Sequence, residues 1–464
     1  MKTKLRAGGF VAAAAALALV VSACGDDAPA ADPTPEADAT EAPTEEPIDD
    51  VEPPASEDRE PVHLVWWHNG TGEPLLSFWQ EVADQFTDAN PHVTIDVQAF
   101  QNEDLRTTIL PNAIAAGTQV DLFQSWGGGE LLEYQRQGLI RPVTDFVPEP
   151  NRWAAEMFSI DGEIWGMPYT SLPSGFWVNM NVWEDAGLTE ADFPTTLPEL
   201  EDRWATLAEA GHTPVAVGGA PGWPAAHWWY WTALRNVPAS AMAAALAHGD
   251  FTDPGWIAAS EDVAAIIATG AWNSDWASTS AQEGATSASG RVVLGEAAMQ
   301  LMGTWDFAVM GGIYNEQMGL PSDAQDHAEF ISWFPFPQIP GAAGDPGAIM
   351  GGVDGFSVGV NAPDEAAELL AFIVSTDIQR QYAAMGNIPI DSGAMDAVPA
   401  GPLVWAADAV AAATSVQLWL DTALGAVGAQ MNDTLVAFMQ GQGTPEDVVN
   451  ALTQLAVEAA GVAE

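Results

Sequence analysis

From Pro61 onward, short apolar runs of strand length alternate with stretches whose apolar residues recur at helical spacing, separated by polar, glycine-rich loops. That succession restricts the chain to α/β architectures, because a strand followed by a crossover helix returns to pair in parallel within one sheet. The run VHLVWW at 62–67 reads as a buried strand, and the loop HNGTGE after it leads to Pro74, suited to a first helical turn. Leu75, Trp79, Val82 and Phe86 then mark a helix stopped by Asn90-Pro91, and Val93, Ile95, Val97 and Ala99 alternate as a strand. A helix is predicted over 105–116 and a strand over 120–123; after Trp126-Gly127-Gly128-Gly129 another helix runs to Gly138. Together these imply a mainly parallel sheet with helices on both faces, where ligands gather at the carboxyl ends of the strands. Downstream, Leu197, Leu200, Trp204 and Leu207 mark a helix, strands are predicted at 214–217, 330–334 and 355–360, and closing helices at 364–375, 377–385, 416–439 and 446–460.

The first sixty residues obey other rules. Lys2, Lys4 and Arg6 precede an apolar run from Phe10 to Val21, too short to span a membrane comfortably, so residues 1–24 read as an export signal. Its end, Val21-Ser22-Ala23-Cys24-Gly25, resembles the lipobox of bacterial lipoproteins, in which the cysteine is lipid-modified; Cys24 is the only cysteine in the chain. Residues 25–60 are rich in Pro, Ala, Thr and acids and almost free of apolar side chains, which predicts a disordered acidic tether. A folded part held on the outer face of the bacterial cell membrane follows from this reading. The net charge of −52, with 12 basic residues against 64 acidic ones, excludes nucleic acid as a partner and favours an uncharged ligand.

Twenty tryptophans exceed what a core of this size needs, and many fall at predicted loops or element ends. Indole offers a flat apolar face and one N–H donor on a rigid side chain, which suits the C–H faces and hydroxyl edges of sugar rings. The polar neighbours His68, Asn69, Glu73, Glu130, Asp306 and Asp354 supply the acceptors and donors such a ligand needs.

The order and spacing of several segments carry a resemblance. They are WWHNGTGEP, FTDANPHVTIDVQ, VDLFQSWGGGELLEYQRQGLIRPVTD, DGEIWGMPY, FWVNMNVWEDAGL, GEAAMQLMGTWD, GGVDGFSVGVNAPDEAAELLAFIVSTDIQRQYAAMGNIP and GQGTPEDV. From about Val62 to the C-terminus the chain resembles the family 1 extracellular solute-binding proteins, the maltose-binding-protein-like carbohydrate receptors of ABC importers. The resemblance implies a two-lobed, class II periplasmic-binding-protein-like α/β fold with a hinge and an interlobe cleft. The lobes would be 61–170 plus 350–395, and 171–349 plus 396–464. It further implies a monomeric capture protein, not an enzyme, that passes a neutral sugar, an oligosaccharide, to permease subunits and needs no cofactor or metal.

The same resemblance places candidate ligand contacts. From the first lobe these are Trp67, His68 and Glu73 after the first strand, and Trp126, Gly127, Gly128 and Glu130 in the WGGGE loop. Tyr169, Gly352 and Asp354 would lie at the crossings between lobes, and Trp228 and Trp229 on a second-lobe helix, one of them facing the cleft. Trp305 would stack on a sugar ring with Asp306 beside it, and Trp419 and Asp421 would come from a C-terminal helix. The family's usual YNK reads Val178-Asn179-Met180 here, so contacts from that Tyr and Lys are absent.

Other chemistries fit less well. Gly355-Phe356-Ser357-Val358-Gly359 matches G-x-S-x-G, but Val358 and Val360 continue a strand where a nucleophile elbow needs a sharp turn. The seven histidines form no H-x-x-x-H pair. The alternatives are a secreted glycoside hydrolase, which needs two suitably spaced carboxylates, and a receptor for a non-sugar or acidic solute served by Arg106 or Arg291.

Overall fold

The computed structural model describes residues 59–148, 155 and 157–462; the export signal, Cys24 and nearly all of the acidic tether lie outside the described residues. β1 (Val62–His68) runs parallel to both β2 (Val93–Ala99) and β3 (Leu122–Ser125), pairing Val62 with Val93 and Trp67 with Phe123. A small hairpin, β4 (Ser159–Ile160) and β5 (Glu163–Ile164), precedes the long strand β6 (Met167–Asn179). Then come β7 (Thr213–Val215), β8 (Ala297–Gly303), β9 (Ile331–Pro335), β10 (Ala348–Val358) and β11 (Ser415–Leu418).

Nine of these strands form one sheet in the order β2-β1-β3-β10-β6-β8-β7, with β11 on β10 and β9 on β6. β6 and β10 belong to both ends of it. Met167 to Pro173 of β6 pair with β10, and Ser174 to Asn179 pair with β8 and β9. β10 likewise pairs with β11 through Ala348 to Gly351 and with β3 through Gly355 to Val358. All pairings that join β3, β6, β8, β9 and β10 to one another are antiparallel. The sheet is therefore mixed, not mainly parallel as the β-loop-α rhythm implied: the rhythm holds for β1 to β3, and returning strands fill the middle.

Alternation along the strands divides the core. Leu64 and Trp66 of β1 pack with Trp79, Val82, Phe356 and Leu369, whereas Trp67 joins Phe123, Leu131 and Val353 in a second cluster. In β6, Phe176 and Val178 enter a large cluster with Trp204, Trp228, Trp229 and Trp256, and Trp177 points to the other face with Val292, Phe307 and Trp333.

The helix Leu197–Glu209 shows why local sequence suffices at its ends. Thr196 accepts from the Glu199 N–H while the Glu199 carboxylate accepts from the Thr196 N–H, a closed capping box. Two predicted helices turn out differently. The span 105–116 is broken into Asn102–Asp104, one π-helical turn at Leu105–Ile109, and Leu110–Ala115. The span 416–439 holds β11, the short helix Leu420–Ala423 and the helix Gly428–Met439, because Gly425 and Gly428 seat the chain against neighbouring backbone. Among the described residues no helix is long and apolar enough to cross a membrane.

Candidate functional site

A cleft of about 620 Å³ is bounded by loops from both groups of strands. The loop after β1 contributes Asn69 to Pro74, and the segment after β2 contributes Gln101, Asn102 and Arg106. Trp126 follows β3, and Tyr169 and Asp354 come from the shared strands β6 and β10. Trp223 and His227 enter from the helix Trp223–Asn236, Trp305 from the turn after β8, and Trp419 and Asp421 from the segment after β11.

Four of the cleft rings touch one after another. His227 lies flat on Trp419, with centroids 4.2 Å apart and planes 6° from parallel. Trp305 stands edge-on to Trp419 at 5.9 Å and tilts toward Trp223 at 5.9 Å. Tyr169 stacks on Phe356 at 5.0 Å. Two glycines make room for these indoles: a Cβ on Gly303 would lie 1.9 Å from the Trp305 ring, and one on Gly352 would lie 1.8 Å from the Trp419 Nε1.

Charge in the cleft is nearly all negative. Glu73, Glu283 and Glu316 stand exposed on the lining, with Asp354 and Asp421 more enclosed. Burial pushes the Asp354 carboxyl up to about 6, against the opposing pull of Asn69 and Tyr169. Burial lowers His227 to about 4, so its ring is neutral at pH 7. Arg106, the one Lys or Arg among the lining residues, is already engaged: Nε donates to Glu130 at 2.8 Å and Nη1 donates to Asp421 at 2.9 Å. The other arginine considered for an acidic ligand, Arg291, grips Asp275 with two hydrogen bonds of 2.8 and 2.7 Å and does not line the cleft.

Of the candidate contacts, the structure brings Glu73, Trp126, Tyr169, Trp305, Asp354, Trp419 and Asp421 together on the cleft lining. The rest lie elsewhere. Trp67 packs edge-on against Phe100 in the core, and His68 is buried beside Trp66 and Trp79, its Nδ1 accepting from the Gly70 N–H at 3.1 Å. Gly127 and Gly128 adopt positive φ so that the chain can pass close to Met157 and Leu418; they serve packing against protein, not approach to a ligand. Glu130 stands behind Arg106 and also accepts from the Tyr134 hydroxyl at 2.7 Å. Gly352 acts through Trp419, which it seats.

Trp228 and Trp229 are both core residues, and the turn of the helix explains the miss. Trp223 and His227, four residues apart, share the cleft face, so positions 228 and 229 rotate away from it. The i, i+4 pairing of an indole with an imidazole was the signal available in the sequence. Ser357 lies within β10, fully buried and paired opposite Phe123, which is a strand serine and no nucleophile elbow. Among the described residues no group of three or more His, Cys, Asp or Glu is placed to hold a metal.

Asp306 is fully buried below the lining, where it accepts from Gln282 at 2.9 Å, Ser289 at 2.7 Å and Gln300. It orients Gln282, which does line the cleft. Burial raises its carboxyl to about 6, so the folded state takes up a proton at higher pH than the unfolded chain does. Its contribution to stability therefore grows as pH falls from about 6 to about 4, by up to about 3 kcal/mol. Denaturant titrations at pH 7 and pH 4.5 should show wild type gaining on Asp306→Asn at the lower pH; an equal gap at both values would show that the carboxyl titrates normally.

Two strand groups joined through β6 and β10, with a ring-lined cleft bounded by both, define the architecture of a solute receptor. Residues 69–380 match the family model described as bacterial extracellular solute-binding protein, and the chain belongs to that family. Membership places it outside the cytoplasm, among substrate receptors. A structure solved in work on xylan utilization by the thermophilic bacterium Caldanaerobius polysaccharolyticus superimposes with a TM-score of 0.74 at 24% identity, covering 84% of this chain and 99% of that one. A chitin oligosaccharide binding protein gives a TM-score of 0.74 at 23% identity, over 86% and 99% of the two chains. The solute-binding protein RafE in complex with raffinose gives 0.65 at 17%, over 85% and 99%. These likenesses establish the two-lobed fold. No curated protein is significantly similar in sequence.

Proposed function

We propose that the protein captures a neutral oligosaccharide outside the cell and hands it to the permease of an ABC importer, without altering it chemically. The observation that carries this reading is the composition of the cleft: Trp126, Trp223, Trp305, Trp419 and Tyr169 alternate with amides and carboxylates, and the lone guanidinium is already paired. Ring faces take the C–H surfaces of pyranoses, and the amides and acids take their hydroxyls. A volume of about 620 Å³ is within the usual small-molecule range and large enough for more than one ring. Structures of like fold that are described as binding chitin oligosaccharide and raffinose support the same class.

In this reading the lobes are 61–170 plus 350–395 and 171–349 plus 396–464, closing on the ligand as a monomer. Cys24 carries the lipid that holds the chain at the outer face of the membrane, and residues 25–60 are the tether.

Calorimetry of the purified protein against tetrasaccharides of xylose, glucose (α- and β-linked) and N-acetylglucosamine should find at least one ligand, recovered intact by chromatography. Hydrolysis products accumulating at turnover rates would replace capture with catalysis. With the ligand found, Trp305→Ala should weaken binding by roughly 1–3 kcal/mol with little change in melting temperature, since a stacked ring supplies both area and orientation. Unchanged affinity would remove Trp305 from the site.

A further inference from the structure

We propose that the Arg106–Asp421 ion pair is a specificity device that keeps carboxylate-bearing sugars out of the cleft; this rests on the sugar-receptor reading above. Arg106 sits in the π-helical turn Leu105–Ile109, a local distortion frequent at functional sites. From there its guanidinium lies between two carboxylates, Glu130 at 2.8 Å and Asp421 at 2.9 Å. Both are held in turn. The Tyr134 hydroxyl donates to Glu130 at 2.7 Å, the Asn432 amide donates to Asp421 at 3.2 Å, and the Tyr230 hydroxyl donates to Asn432. Tyr230 is on the helix that also carries Trp223 and His227, so this relay joins the walls of the cleft.

The charge count at the relay is what selects. Nε and Nη1 of Arg106 are used, and among the described residues Nη2 makes no hydrogen bond. Arg106 lines the cleft, and in this proposal Nη2 is the donor it offers to a ligand oxygen. Around it the acids outnumber it. Glu130 and Asp421 both contact it, and Glu103, whose carboxyl burial raises against the pull of Arg106, stands near enough to interact with the guanidinium as well. A hydroxyl can accept from Nη2 at no electrostatic cost, whereas a ligand carboxylate there meets an excess of like charge in a desolvated site. Arg106 is thus a donor whose charge has been cancelled, and Asp421 and Glu130 are the positioning residues that cancel it.

The test uses the tetrasaccharides named above, each beside the same chain oxidised to a carboxylate at its reducing end. Wild type should bind the oxidised form at least about tenfold more weakly than the neutral one. Asp421→Asn and Glu130→Gln each remove one negative charge with almost no change of shape. Either should narrow that gap by about tenfold, with the melting temperature confirming a folded protein. Equal binding of both forms by wild type overturns the proposal whatever the variants do, and so does a gap that neither folded variant narrows. Failure of wild type to bind any neutral tetrasaccharide instead overturns the sugar-receptor reading itself.

Discussion

Trp229→Ala should cost about 3–5 kcal/mol of stability and leave ligand affinity per folded molecule unchanged. Trp229 is fully buried, stacks on Trp256 at 5.6 Å, and its Nε1 donates to Ser260 at 2.8 Å. Truncation leaves a cavity among rings that cannot collapse to fill it, and it strips Ser260 of a donor. Trp223→Ala, six residues earlier on the same helix and part-exposed on the cleft lining, should do the reverse: weaker binding with little change in stability. Urea denaturation and calorimetric titration of both variants separate the two roles. If Trp229→Ala abolished binding at unchanged stability, the placement of that helix would be wrong.

Raising sodium chloride from about 0.01 to about 1 M should stabilise the protein and raise its thermal midpoint. The cause is the excess of acids from residue 61 onward, 50 Asp and Glu against 8 Arg. Carboxylates that repel one another across the surface are screened as the Debye length falls from about 30 Å to about 3 Å. The ion pairs that salt would weaken are few. Exposed ones such as Arg380–Asp396, with N–O 2.6 Å, contribute little in any case. A thermal midpoint that fell with salt would mean that attractive pairs, not repulsion, dominate the surface.

What the sequence disclosed follows from which interactions are local. β1, β2 and the helix Leu75–Ala89 were legible because two-residue and helical periodicities are written in neighbouring side chains. The capping box at Thr196 and Glu199 is equally local. The antiparallel middle of the sheet was not legible, since the pairing of Gly351 with Pro173 or Ser357 with Phe123 depends on residues far apart in the chain. The single helix expected over 416–439 does not form for the same reason: β11 is extended because β10 offers it a parallel edge. Motif position anticipates that Trp126, Trp305, Trp419 and Asp354 lie on the cleft lining, but facing is a property of helix phase and of neighbours. Hence Trp228 and Trp229, expected as contacts, are core residues while Trp223 and His227 of the same helix line the cleft, and protein fills the space beside the glycines at 127 and 128.

The sealed indoles also govern how occupancy can be read. Trp66, Trp79, Trp177, Trp183, Trp204, Trp228, Trp229, Trp231 and Trp256 are shut away from solvent, and their emission forms a large, constant background. The few rings that a guest can touch modulate only a minor share of the total light. Collisional quenching by iodide or acrylamide, which reaches part-exposed Trp223 and Trp305 before the sealed set, is therefore the optical measurement with contrast enough to follow filling.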